Sequence, residues 1–254
     1  MLCKLKEKVG GYMANVAAFF DIDGTIYRDG LIIEVFKKMI NYELVDMDRW
    51  LLEVKPAFEA WDRRLGDYDN YLGKIVDIFK ETIKGKDHLH IDWISKHVVE
   101  QKGDRVYQYT RKEIERHRSL GHKIITISGS PYELVREMAN KYHFDDFRGT
   151  IYELDEDGHY TGEIIPMWDS LSKQKAMQGL KEEYGLDLAQ CYAYGDTNGD
   201  LTMLNSVGHP TAINPSKELL NHIMGDGELK KRINIVVERK DVIYQMDIEH
   251  LNYL

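Results

Sequence analysis

The chain alternates between two kinds of apolar patterning, and the alternation predicts its elements. Val16-Ala-Ala-Phe-Phe20 is apolar without a break and runs into Asp21-Ile-Asp-Gly-Thr25. A short continuous run of this kind predicts a strand covered on both faces, as in a parallel sheet between helices. After Thr25 the period changes. Leu31, Ile32, Val35, Phe36 and Met39 fall on one stripe and predict a helix over residues 31–42. Further helical stretches follow at about 48–65, 68–84, 91–102 and 105–119, and no strand pattern interrupts them between Gly30 and Gly103. Trp50, Trp61, Trp93, Tyr68 and Tyr71 give this block apolar surface of its own. That predicts a helical domain inserted after the first strand, residues 30–103.

Gly121 suits the end of the last of these helices. His122-Lys-Ile-Ile-Thr-Ile127 then reads as a second buried strand, followed by Ser128-Gly-Ser-Pro131 and a helix over residues 132–142. Residues 150–165 read as two strands about the turn Asp155-Glu-Asp-Gly158. A helix over 171–184 stops at Gly185, residues 190–194 form a third buried strand, and Gly195-Asp-Thr-Asn-Gly-Asp200 opens another helix. Strands at 211–213 and 233–237 complete a five-strand alternation with helices. This βαβ rhythm predicts the α/β class with a mostly parallel sheet and right-handed crossovers. Residues 1–29 and 104–254 are thus expected to form the α/β core, without internal repeats.

Composition narrows the function classes. At 254 residues, 43% hydrophobic and 30% charged, the chain has the make-up of a folded globular protein of one or two domains. A formal net charge of −9 leaves no basic footprint for nucleic acid. No apolar run reaches the roughly 20 residues that span a bilayer, so membrane insertion is not expected. Lys4, Lys6 and Lys8 precede an apolar stretch broken by Gly10, Gly11 and Asn15, which runs straight into the aspartates and fits a signal peptide poorly. Cys3 and Cys191 are too few for a disulfide framework or a zinc site, and a reducing cytoplasm is the expected compartment. The oligomeric state stays open.

Asp21 and Asp23 lie at the carboxyl end of the first predicted strand, where open α/β sheets bind ligands. Two residues apart, they share a face of an extended chain. Their mutual repulsion points to a neutralising cation, naturally Mg2+; an acidic turn that closes the strand is the alternative. Ser128 and the amide of Gly129 can form an anion site before a helix, or Ser128 can serve as an ordinary N-cap before Pro131. Asp196, Asn198 and Asp200 match the first three ligand positions of a calcium EF-hand. That reading fails at Leu201 and Val207, which replace the required glycine and bidentate glutamate.

Together Asp21-Ile-Asp-Gly-Thr25, Ile127-Ser-Gly-Ser130, a lysine on the later helix over 171–184 and Gly195-Asp-Thr-Asn-Gly-Asp200 resemble the haloacid dehalogenase (HAD) superfamily. The order is most similar to its phosphoserine-phosphatase-like branch, subfamily IB, with a helical C1 cap. The resemblance covers residues 16–29 and 121–220 and implies a Rossmann-like three-layer core with an inserted cap. It implies a Mg2+-dependent phosphatase that hydrolyses a small phosphorylated metabolite through an aspartyl-phosphate. Asp21 is then the nucleophile and Asp23 the acid and base, consistent with known carboxylate chemistry. Asp21 and Asp196 supply carboxylates to the metal and Asp23 its backbone carbonyl, while Asp200 and Thr25 orient the groups around it. Ser128, Gly129 and a lysine hold the phosphate. Lys175 is favoured on its spacing to Ala176 and Leu180, with Lys173 as the alternative. Thr197, Asn198 and Asn214 are candidates for further hydrogen bonds. A phosphotransferase that passes the phosphoryl group to an alcohol, and a non-catalytic phosphometabolite-binding protein, are the alternatives. Gly30 stands where phosphoserine phosphatases carry a glutamate, with Glu34 one turn later, which counts against phosphoserine. Arg63 and Arg64 are the cap's candidates for meeting a substrate anion.

Overall fold

A computed structural model describes residues 15–248; the N-terminal lysines and Cys3 lie outside the described residues. The central strand β1 (Ala17–Phe20) is buried along its whole length. It leads into helices α1 (Leu31–Asn41) and α2 (Met47–Arg49). A π-helical stretch, Trp50–Val54, joins α2 to α3 (Lys55–Asp62), so the predicted continuous helix there is broken in winding. Helices α4 (Tyr68–Ile83), α5 (His88–Lys102) and α6 (Gln108–Ser119) follow. The rest runs β2 (Lys123–Pro131), α7 (Tyr132–Tyr142), β3 (Asp146–Leu154), β4 (Tyr160–Ile165), α8 (Ser170–Tyr184) and β5 (Tyr192–Gly195). It ends with α9 (Leu201–Ser206), β6 (His209–Ile213), α10 (Lys217–Gly225), α11 (Gly227–Arg232), β7 (Asn234–Arg239) and β8 (Val242–Met246).

Eight strands form one sheet in the order β4-β3-β2-β1-β5-β6-β7-β8. The inner pairings are parallel, and β4 and β8 close the two edges antiparallel. The apolar runs predict five core strands and a hairpin. The sheet adds β8, a short edge strand whose side chains are mostly exposed although Val242-Ile-Tyr244 is apolar in sequence. β3 also starts earlier than the pattern indicates, because its first residues pair with β2 while only half-buried.

Two apolar clusters flank the sheet and make three layers. On one face Met177, Leu180, Met203, Leu204, Leu219 and Leu229 bring α8, α9, α10 and α11 onto Phe19, Ile125 and Ile127. On the other, Phe20 and Ile124 pack with α7 through Leu134 and Met138, and the same cluster runs on into α1, α4 and α5 through Phe36, Phe79 and Ile94. The helices inserted between β1 and β2 therefore share a continuous core with the sheet. Strand order reverses direction at β1, whose neighbours are β2 and β5. The carboxyl ends of these three strands meet at the switch point where such sheets place ligands.

Candidate active site

Asp21 leaves β1 still in the ladder, its amide donating to the Tyr194 carbonyl of β5 at 3.0 Å. The chain then turns tightly through Gly24, whose φ of +82° suits glycine. A Cβ at Gly24 would stand 2.0 Å from Asp196 Oδ2, so a side chain there would displace the Asp196 carboxylate. Asp196 is held in turn by Thr25, which donates to its Oδ1 at 3.1 Å. Asp200 is fully buried and accepts from the amides of Asp196 and Thr197 at 3.0 and 3.1 Å.

The lysine of the site is Lys173, which corrects the choice of Lys175. Lys173 Nζ lies 2.7 Å from Asp21 Oδ1 and 2.5 Å from Asp200 Oδ1, and the side chain is buried. Asp169 caps α8 by accepting from the Ser172 amide at 2.9 Å, and this start fixes the phase of the helix. Lys173, Met177 and Leu180 then share the buried face, while Lys175 lies on the exposed side. Two residues correspond to about 200° of helix, so the two lysines cannot face the same way.

Asp23 is oriented by two donors. The Leu31 amide at the start of α1 gives a bond of 2.7 Å to Oδ1, and Ser130 Oγ one of 2.5 Å to Oδ2. Ser130 lies in the Ile127-Ser-Gly-Ser130 motif, where the serine two residues after Ser128 is the signal in the sequence. Both serines sit in an irregular stretch of β2, where the register with β3 shifts between Ile127 and Pro131. Such a bulge re-aims side chains at a strand end. Ser128 is fully buried, with its Oγ accepting from the Ser130 amide at 3.2 Å, and Gly129 packs against Trp168 while its carbonyl accepts from Thr150.

Burial raises the pKa of Asp21, Lys173 opposes the rise, and the Asp200 and Asp23 charges add to it. Asp196 is raised well above the usual carboxylate range, by burial first and then by Asp200 and Asp21. Asp23 is also raised by burial, with the Ser130 and Leu31 hydrogen bonds holding it down. Burial works against the Lys173 ammonium, but Asp200 and Asp21 outweigh it and keep the group charged.

The donor set fits a hard divalent cation. Carboxylate oxygens of Asp21, Asp196 and Asp200 lie within 4.8 Å of one another. Lys173 is the ammonium that pairs with Asp21 and Asp200, so the buried cluster keeps an excess of negative charge. Burying such charge without a counter-ion is costly, and all-oxygen ligands suit Mg2+ rather than a softer metal. Asp200 spends one oxygen on Lys173 and the other on two amides, which leaves Asp21 and Asp196 as the better carboxylate ligands. Asn198 Oδ1 and Asn214 Nδ2, on the segments that follow β5 and β6, are buried without a hydrogen-bond partner.

The insertion's sequence candidates are placed otherwise. Glu34 is buried in the first turn of α1, 2.8 Å from Lys37 Nζ and 3.9 Å from Arg105. Two cations already neutralise it. Arg63 and Arg64 are exposed at the end of α3, and Arg63 makes a 3.5 Å contact with Glu59 one turn back.

The haloacid dehalogenase-like hydrolase family model matches residues 18–205. The chain is 34% identical over 229 residues to a protein named as a probable phosphatase of Mycobacterium tuberculosis, covering 81% of this chain and 71% of the relative. It is 27% identical over 226 residues to the inhibition of morphological differentiation protein of Streptomyces azureus, covering 85% of this chain and 77% of that one. Its fold superposes on a phospho-aspartyl intermediate analogue of phosphoserine phosphatase with a TM-score of 0.56, over 90% of this chain and 95% of that one, at 18% identity.

Proposed function

The chain belongs to the haloacid dehalogenase-like hydrolases, and we propose that it is a phosphatase of the phosphoserine-phosphatase-like branch that hydrolyses a small phosphomonoester through an aspartyl-phosphate on Asp21. The observation that carries this reading is the buried cluster in which Lys173 bridges Asp21 and Asp200 beside Asp196 and Asp23. Phosphoryl transfer needs an in-line nucleophile, neutralised charge and a proton for the leaving oxygen.

Each group has a task that follows from its surroundings. A carboxylate oxygen of Asp21 attacks phosphorus while the bond to the ester oxygen breaks. Asp23 gives its proton to that oxygen and the alcohol departs. Its raised pKa suits the acid, and its two fixed donors keep the carboxyl aimed. Asp23 then takes a proton from water, which attacks the aspartyl-phosphate, releases inorganic phosphate and restores Asp21. Lys173 neutralises the nucleophile, and Ser128 with the Gly129 amide binds phosphate oxygens. Asp21, Asp196 and the Asp23 carbonyl would hold Mg2+, which would supply charge screening between the carboxylates and the phosphate. Thr25 and Asp200 keep Asp196 and Lys173 in place.

Residues 30–103 act as the cap on a core of residues 1–29 and 104–254. A cap opens for exchange and closes to exclude water during the chemistry, which suits small phosphorylated metabolites. The deciding experiment is phosphate release from p-nitrophenyl phosphate with Mg2+ or EDTA. Chelation abolishes turnover, and Asp21→Asn lowers it by about a thousandfold or more while circular dichroism shows a folded protein. Turnover by Asp21→Asn that still depends on Mg2+ overturns the reading.

A further inference from the structure

The acid side of the site abuts the start of α1, since Asp23 Oδ1 accepts from the Leu31 amide at 2.7 Å. Gly30 comes directly before. A Cβ there would stand 2.7 Å from Tyr68 Oη and 3.1 Å from Ile33 Cδ1, so the phenol of Tyr68 fills the space that a side chain at 30 would take. Tyr68 is the first residue of α4. Asp67 caps that helix by accepting from the Asn70 amide at 2.6 Å.

The contacts that hold Tyr68 engage its ring. Trp61 lies 5.3 Å away in a tilted arrangement and Tyr71 6.1 Å away edge-on. Trp61 and Tyr71 stack on each other at 5.5 Å. This aromatic layer fixes the phenol and leaves its hydroxyl over Gly30. Burial, followed by the charges of Asp23, Asp29 and Asp196, raises the Tyr68 pKa, so the phenol keeps its proton through the neutral range. A neutral hydroxyl donor beside the acid meets whatever the ester's alcohol carries next to its oxygen. The neighbouring carboxylates disfavour a further anion at that point.

We infer that Tyr68 is a specificity-determining residue: its hydroxyl hydrogen-bonds a neutral hydroxyl on the leaving alcohol and so selects polyol phosphates over plain alkyl phosphates. Sites built to hydrogen-bond a substrate hydroxyl reject analogues that lack it, because their own polar group is then left unpaired. The inference rests on the phosphatase reading for the position of the leaving group.

The test compares glycerol 1-phosphate with propyl phosphate, which share a three-carbon chain. Wild-type protein with Mg2+ favours the glycerol ester by about tenfold or more in kcat/KM. Tyr68→Phe keeps the ring and its tilted and edge-on contacts, and brings the ratio to within about threefold of unity. Gly30→Ala, which puts a methyl group where the hydroxyl lies, lowers the ratio in the same direction. Calorimetric binding of both esters to Asp21→Asn, with and without Tyr68→Phe, gives the ratio independently of turnover. A ratio that Tyr68→Phe leaves unmoved in rate and in binding overturns the inference while the phosphatase reading stands. Absent turnover with a binding ratio that depends on Tyr68 overturns the phosphatase reading and keeps the role of Tyr68.

Discussion

The strand ends and the helical roof meet near Asp23 and are held together by different forces. At the strand ends, buried Lys173 joins buried Asp21 and Asp200 at 2.7 and 2.5 Å, and half-buried Asp23 accepts from the Leu31 amide and Ser130 Oγ at 2.7 and 2.5 Å. Each group there answers for the charge of another. In the roof, Phe58, Trp61, Tyr68 and Tyr71 touch through ring faces and edges at 5.3 to 6.1 Å. Such contacts are separately weak and tolerant of exchange. The difference teaches where change is affordable: the charged network fails as a unit, whereas the aromatic layer can be retuned one side chain at a time.

The hardest blow to the comparison comes from its most connected member. Lys173→Met leaves Asp21 and Asp200 buried without their cation, which costs about 3–5 kcal/mol of stability at neutral pH and abolishes turnover. Lys175→Met, on the exposed side of the same helix, stays within about 0.5 kcal/mol. The pH dependence has a definite sign. Asp21 has a folded-state pKa above its ordinary value, and losing Lys173 raises it further. A group raised on folding favours the folded state when protonated, so the variant's deficit in EDTA is widest in neutral to alkaline solution and narrows on acidification. Denaturant midpoints across pH measure this, and equal deficits for the two lysine variants would break the comparison.

That pair of lysines also shows what the sequence held and what it concealed. The aspartates were readable because each closes an apolar strand, and their chemistry follows from sharing one strand end. The lysine was not, since any lysine on the next helix meets the requirement. The deciding signal was the apolar pair Met177 and Leu180, which share a face with Lys173 and not with Lys175. The task of Ser130 depends on a bulge in β2, and a bulge leaves no periodicity in the sequence. The inserted helices announced themselves through period 3.6, but their partner across the site did not. Tyr68 matters through its reach over Gly30, thirty-eight positions away by number (68 against 30), and no spacing rule connects the two. The arginines at 63 and 64 looked apt by charge alone, and the fold leaves them in solvent. Edge strand β8 is hard to read because its apolar run, Val242-Ile-Tyr244, is short and lies mostly exposed.

A smaller effect tests the coupling inside the network. Ser130→Ala removes the 2.5 Å donor to Asp23, one of the hydrogen bonds that hold that carboxyl's pKa down. With it gone the pKa rises, and the base form that activates water is populated only at higher pH. Turnover falls by about 10–100-fold near neutrality, and the acid limb of the kcat profile moves to higher pH. A uniform fall without movement of that limb would mean that Ser130 only shapes the loop.

The smallest change is placed in the roof, under the residue that sets its reach. Asp67→Ala removes the N-cap of α4, whose carboxylate takes the Asn70 amide at 2.6 Å, and costs about 1 kcal/mol. For a chain of this size that lowers Tm by about 2–4 °C. The first turn of α4 frays, and Tyr68 with it. KM for glycerol 1-phosphate therefore rises by about two- to threefold, while kcat, set by the strand ends, holds to within about twofold. Calorimetric unfolding and steady-state kinetics on one preparation measure both quantities. If Asp67→Ala lowers kcat as deeply as Ser130→Ala does, the roof is bound into the charged network, and the contrast between the two regions fails.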